Sequence, residues 1–374
     1  MTFTREDTKM VKGAAIALML YHHLFAYSDR ITGGNYYIPL LTFTSTDSAQ
    51  LMGLFGKLCV ALFLFLGGYG TYLSWASRAK KLGDGAGQGE AMSQFVLAKL
   101  KALYTPFLKV FCVVVPIAVL LGDSRVQASV ATLVWNATGL NITYNGEWWF
   151  FTDYVILLVA FPLMWRFASR RRATLPLDVL CVFAWVAATT WVIPSLMELE
   201  CMQPLAQTLL WSKLYETSIW SPYFLMGCIC ARWDVLSRAK SALAGRGLWC
   251  VAALLSLPVM VAVRFKLGVD YRYDFLLAPL LAIALAVLAT TRPGAVVGRG
   301  LQFVGKHGTG VWLTHSFFCY HWCQAFVFAP HYSILVFLLL LAMSLATTML
   351  IDLLWKGIGK GVRALDAKTR YEVR

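Results

Sequence analysis

Long apolar runs alternate with short basic segments along the whole chain, and most runs are long enough to cross the ~30 Å hydrocarbon layer of a bilayer as a helix. Read by that length, the pattern predicts ten helices near 10–28, 52–76, 102–121, 148–167, 175–194, 217–233, 247–264, 274–291, 309–328 and 333–355. The sixth is the least apolar. Its apolar stretch, Trp220 to Ala231, contains Pro222 and must borrow Thr217, Ser218 and further polar neighbours to span. The longest segments on the far side, 29–51, 122–147 and 195–216, are short enough to fold over a bundle, and GDGAGQGE at 83–90 reads as a flexible linker. The expected architecture is all-α, a polytopic integral membrane protein forming one transmembrane domain over 1–374, without internal repeats.

Composition agrees with this reading. Hydrophobic residues make up 59% of the 374, mean hydropathy is +0.64, and only 14% are charged, where a soluble domain carries about 25%. With the amino terminus inside, twenty-five of the thirty-three basic residues fall in inside segments, among them Lys80, Lys81, Lys99, Lys101 and Arg170 to Arg172. Such asymmetry predicts ten spans with both termini cytoplasmic, in a cell membrane. The net charge of +14 is then mostly topology. It calls for no nucleic-acid partner, and the basic loops suit anionic lipid and phosphorylated ligands.

Ionisable groups inside spans are costly and point to function. His22 and His23 lie in the first helix, MVKGAAIALMLYHHLFAYS, with Lys12 eleven residues before His23. That spacing is close to three turns, so Lys12 and His23 share a face about 16 Å apart along the axis, while His22 is turned about 100° away. His22 is expected to bond a neighbouring helix. Lys57 and Lys109 also fall within spans, where they either pair with acids or snorkel. His315, Cys319 and Cys323 recur at four-residue spacing, but one helix face cannot close a tetrahedral site, so packing is the better reading and no metal is expected. Nine scattered cysteines argue against a disulfide framework. Two sequons, at Asn136 and Asn141, fall in an outside loop.

Four segments, in order, resemble the integral-membrane acyltransferase 3 family: KGAAIALMLYHHLF, LFLFLGGYGTYLS, GEWWFFTDYVILLVAFPL and LQFVGKHGTGVWLTHSFF. The family's first-helix histidine falls on His23, and its ninth-helix motif on Gly305, Lys306 and His315. The wording is closest to sugar and polysaccharide O-acetyltransferases. One departure stands out. Where relatives carry an Arg-x-x-Arg pair before the third helix, this chain reads AKLKALYTPFLK, leaving Lys99 and Lys101 as the analogues, without bidentate phosphate geometry.

The resemblance implies transfer of an acyl group, acetyl above all, from cytoplasmic acyl-CoA as co-substrate to a hydroxyl of a glycan or lipid-linked sugar, with no bound cofactor. The chemistry needs a base for the hydroxyl proton, donors for the oxyanion and cations for phosphate. His23 is the expected base, with Glu147, Asp153 or Asp29 orienting it. Trp149, Tyr154 and His315 are expected to position the acceptor or donate to the carbonyl oxygen, Lys99 and Lys101 to serve the donor's charge with Lys306 and His307 as the next candidates, and Lys12, the basic anchor at one membrane face, to bind substrate. His315, if its helix starts near Thr309, lies nearer the cytoplasmic face than His23. Each expectation has a plainer counterpart: packing for the histidines, and interfacial anchoring for Glu147, Trp148 and Trp149. A proton-coupled transporter or flippase is the alternative function; proline-broken spans suit it, and the lack of paired inverted halves does not.

Overall fold

The structure, a computed structural model, describes all residues except 44–45, 84–87, 127–128, 172, 268–270 and 373–374, with side chains described up to residue 361. The expected linker at 83–90, Arg172 of the basic triplet and the cationic tail thus lie partly or wholly outside the described residues. The regular structure of the described chain is helical apart from isolated bridges pairing Ile38 with Tyr332 and Thr42 with Asp47.

Helix α1 (Arg5–Phe25) begins before the expected span because Thr4 and Asp7 form a capping box. Thr4 N donates to Asp7 at 2.7 Å, and Asp7 N donates to the threonine hydroxyl at 3.2 Å. What the pattern reads as one second helix is two, α2 (Ser48–Gly56) and α3 (Leu58–Leu82), meeting at Lys57. Then come α4 (Gln88–Leu120), the short α5 (Val130–Thr138) and α6 (Trp149–Ala168). Helix α7 (Leu175–Ala187) passes through a π turn into α8 (Ile193–Met197), followed by α9 (Gln203–Ala206).

The weak sixth helix is corrected by the structure. Thr208 caps α10 (Leu209–Arg232), which runs for 24 residues and takes in the polar stretch expected to be loop. Beyond it lie α11 (Val235–Leu243), α12 (Gly247–Lys266) and α13 (Asp274–Leu288). The ninth helix is also corrected. Capped by Thr291, α14 (Arg292–Ser316) begins 17 residues before the expected boundary, because its polar first half hides it from hydropathy. A π turn, Phe317–Trp322, ends it before α15 (Gln324–Phe328) and α16 (Ser333–Glu372).

Among the described residues, seven helical stretches are long and apolar enough to cross a membrane: Ser48–Leu82, Gln88–Leu120, Gly146–Ala168, Leu175–Met197, Gly247–Lys266, Tyr271–Leu288 and Ser333–Gly361. They make this an integral membrane protein. The remaining three expected spans, α1, α10 and α14, are 21, 24 and 25 residues long but too polar to qualify. Helix α1 and the second halves of α10 and α14 sit inside the bundle. Helix α1 packs on α14, α2 and α3, and α10 on α3, α6 and α7. A helix enclosed by other helices need not present an apolar face to lipid, whereas α12 exposes Leu248, Leu254, Leu255 and Val259.

Glycines bring the inner helices to backbone contact. A Cβ on Gly13 would collide with the Leu301 carbonyl, and one on Gly305 with the Lys9 carbonyl. Gly68 and Gly227 do the same between α3 and α10, against the backbones of Phe224 and Phe65. The pairs run in step: Met10 with Gly298, Lys12 with Thr309, His23 with His315. Helices α1 and α14 are therefore parallel.

Candidate active site

A cavity of about 530 Å³ follows α1, lined by Thr8, Lys12, Met19, His22 and His23 along that helix. From Thr8 to His23 is about 22 Å at ~1.5 Å per residue. The shared stripe of Lys12 and His23 is thus one cavity wall. At one end Lys12 Nζ donates to the Thr309 hydroxyl at 3.1 Å; at the other, Arg30, Gly146 and Glu147 close around His23.

Parallel packing and the π turn together set the His23 end. The turn brings Tyr320 back over α1, where its hydroxyl donates to the His23 carbonyl at 2.7 Å and accepts from Arg30 Nη1 at 3.1 Å. The same oxygen lies 2.9 Å from His23 Nδ1. A carbonyl can only accept, so the phenol's one proton goes to it, and Nδ1 is the donor in the remaining bond. The Nε2 lone pair is then free. It faces Glu147 Oε2 at 3.6 Å, and Arg30 Nη1 holds the other carboxylate oxygen at 3.7 Å. An imidazole so held can take a proton at Nε2 and meet a carboxylate once charged.

Glu147 arrives there on a pinned loop. The buried Asn136 side chain bonds the Thr132 carbonyl, the Thr143 hydroxyl and the Tyr144 amide at 2.9–3.0 Å. Its amide is committed to the fold, which removes Asn136 as a glycan acceptor. Asn145 Nδ2 donates to Ser316 at 2.7 Å while its Oδ1 accepts from Glu147 N at 3.0 Å. Fully buried Trp148 donates to the Leu313 carbonyl at 3.1 Å. Interfacial anchoring does not describe Trp148. Outside the membrane helices, Arg125 and Trp322 bond Asp123, and these hydrogen bonds, Arg125 foremost, hold its carboxyl down at about 2.

Several expected site residues lie elsewhere. Asp153 is buried and accepts from Thr217 at 2.7 Å, turned toward α10 and off the cavity wall. Asp29 is exposed. His22 reaches the wall, but its Nδ1 bonds the Gly53 carbonyl at 3.0 Å, in keeping with its orientation. The depth expected for His315 is wrong. Being near the end of a longer helix, it sits beside His23 with ring centroids 4.7 Å apart. It is fully buried behind His23, not on the cavity wall; Nδ1 bonds the Trp312 carbonyl at 2.7 Å, and Nε2 has no partner among the described residues. The π turn also breaks the spacing that aligned His315 with Cys319 and Cys323. Among the described residues no three His, Cys, Asp or Glu side chains form a metal-holding group.

Trp149 and Tyr154 do line the cavity. Lys99 and Lys101 do not. Lys99 donates to Ser74 at 3.3 Å and stands one turn before Leu103, which is on the wall; Lys101 is exposed. Residues that sequence reasoning assigned no role complete the site: Arg30, Tyr320, Asn145 and Thr309. Arg30 stood out only as a loop charge, and Tyr320 owes its place to a π turn that no apolar period announces.

The acyltransferase domain family matches residues 9–353, nearly the whole chain. This chain belongs to the acyltransferase 3 family. It is a membrane acyltransferase, and the match takes in both ends of the cavity, from Lys12 through His23 and Glu147 to Tyr320. No curated protein and no solved structure matches it.

Proposed function

We propose that this acyltransferase moves an acetyl group from cytoplasmic acetyl-CoA to a hydroxyl of a carbohydrate, as in O-acetylation of an exported or lipid-linked glycan, in a cell membrane crossed ten times with both termini cytoplasmic. The observation that supports it best is the cavity itself, which puts a proton-accepting imidazole at one end and the Lys12 ammonium at the other. The directions of the helices fit the ten-span count. First and ninth spans should run the same way, as α1 and α14 do.

In this mechanism the acetyl-CoA arm lies along α1, with phosphates toward Lys12 and the basic surface beyond it, including Lys99, and the thioester at His23. The acceptor hydroxyl gives its proton to His23 Nε2 as its oxygen attacks the thioester carbon. Glu147 steadies the imidazolium, and collapse of the tetrahedral adduct expels the thiolate, which takes that proton back. Arg30 and Tyr320 hold Glu147 and the His23 tautomer in place.

Full-length protein in lipid nanodiscs, given labelled acetyl-CoA and glycan acceptors, tests the reading. Label should reach the glycan, and Lys12→Gln should raise the KM for acetyl-CoA while leaving that of the acceptor nearly unmoved. Movement of sugar across a vesicle without acetyl transfer would replace it with the transporter alternative.

A further inference from the structure

Lys57 occupies the break between α2 and α3 and lines the cavity. The break is fixed from behind, where Gly56 lies against the Leu18 carbonyl and His22 of α1. Its ammonium sits 5.3 Å from the Trp149 ring centroid and 5.7 Å from that of Trp220. Among the described residues no carboxylate comes within ion-pair distance of it. A cation at membrane depth that lies against two aromatic rings, with Glu147 in Coulomb range but beyond ion-pair distance, is costly unless a ligand supplies further negative charge.

The other charges in the cavity have hydrogen-bond or ion-pair partners. Lys12 bonds Thr309, and Arg30 bonds Glu147 and Tyr320. Glu147, the one carboxylate on the described wall, is shared by Arg30 and His23. Coenzyme A cannot supply the counter-charge at Lys57, because its phosphates are separated from the thioester by the whole pantetheine arm and belong at the Lys12 end. The negative charge must come with the acceptor.

The surroundings of Lys57 suit a sugar. Trp149, Trp220 and Tyr271 form a row with successive ring centroids 5.2 and 5.1 Å apart, tilted by 37° and 33°. The partly exposed Trp149 ring lines the cavity beside Lys57 and offers an apolar face to the C–H side of a pyranose. We propose that Lys57 is a specificity-determining residue that binds an anionic substituent, a carboxylate or a phosphate ester, on the sugar acceptor. This rests on the carbohydrate O-acetyltransferase reading given above and narrows its substrate class to acidic sugars.

The test uses full-length protein in nanodiscs with acetyl-CoA and three acceptors: methyl glucoside, methyl glucuronide and methyl glucoside 6-phosphate. Wild type should favour at least one charged acceptor over the neutral one by roughly tenfold or more in kcat/KM, as a charge-assisted contact provides; which one separates carboxylate from phosphate. Lys57→Gln should erase that preference through a raised acceptor KM, and Lys57→Arg should keep it. Equal use of charged and neutral sugars by wild type, or an unchanged preference in Lys57→Gln, overturns the proposal alone. Transfer to none of the three overturns the carbohydrate reading beneath it.

Discussion

His23 is held by its neighbours in one tautomer, so the predictions at the scale of the residue concern protons. Replacing His23 with alanine removes the imidazole nitrogen that faces Glu147 with its lone pair free, and acyl transfer should fall by about 10²- to 10⁴-fold with membrane insertion intact. His22→Ala should cost less, since that ring is tied to the Gly53 carbonyl. Initial rates for the two variants decide the assignment; a larger loss in His22→Ala would reverse it. Tyr320→Phe deletes the acceptor of the Nδ1 proton and one ligand of Arg30. It should lower kcat by roughly tenfold while leaving the KM for acetyl-CoA near wild type.

The element that matters most is the loop before α6, which has no regular structure beyond one short turn yet enters the bundle as a fixed wedge. Its backbone is bonded by the side chains of Asn136 and Asn145, so it behaves as part of the core. Asn145→Ala should reduce turnover without touching the donor site, because Glu147 loses the cap that aims it; a normal kcat in that variant would show the wedge positions itself. A second prediction concerns the end of α4. Asp123 titrates near 2 when folded and near 4 when unfolded, so its bonds to Arg125 and Trp322 stabilise the fold fully above pH 4 and lose that effect as pH falls toward 2. Thermal unfolding of Asp123→Asn should therefore lie below wild type at pH 7, with the gap closing between pH 4 and pH 2.

At the scale of the whole molecule, the testable property is which loops share a side. With native cysteines removed, single cysteines at 171 and 357 should be shielded from an impermeant thiol reagent in intact cells, and one at 200 should react. Reaction at both 200 and 357 would mean that α10 does not cross. The parallel runs of α1 with α14 constrain the same question from inside, because a bundle with one crossing fewer before α14 would set those helices antiparallel.

Much was legible in the residues themselves. Apolar runs mark the helices that meet lipid, since only they must be apolar along their length, and the first-helix motif singles out His23 and its shared stripe with Lys12. The inner helices were misread in extent for the complementary reason. The polar first halves of α14 and α10 are largely exposed and only their second halves pack in the bundle, so hydropathy sees only their apolar fragments. Glu147 could be picked out from His23's possible partners only by tertiary structure, because Asp153 and Glu147 stand six residues apart at the start of one span and a turn of the backbone sends them to different helices. The equal depth of His23 and His315, the return of Tyr320 through a π turn and the aromatic surroundings of Lys57 depend on contacts between segments far apart in the chain. The sequence by itself determined a membrane acyltransferase and singled out His23 as a candidate; packing decided what surrounds that histidine, because partners are chosen by helix register and crossing, which composition does not encode.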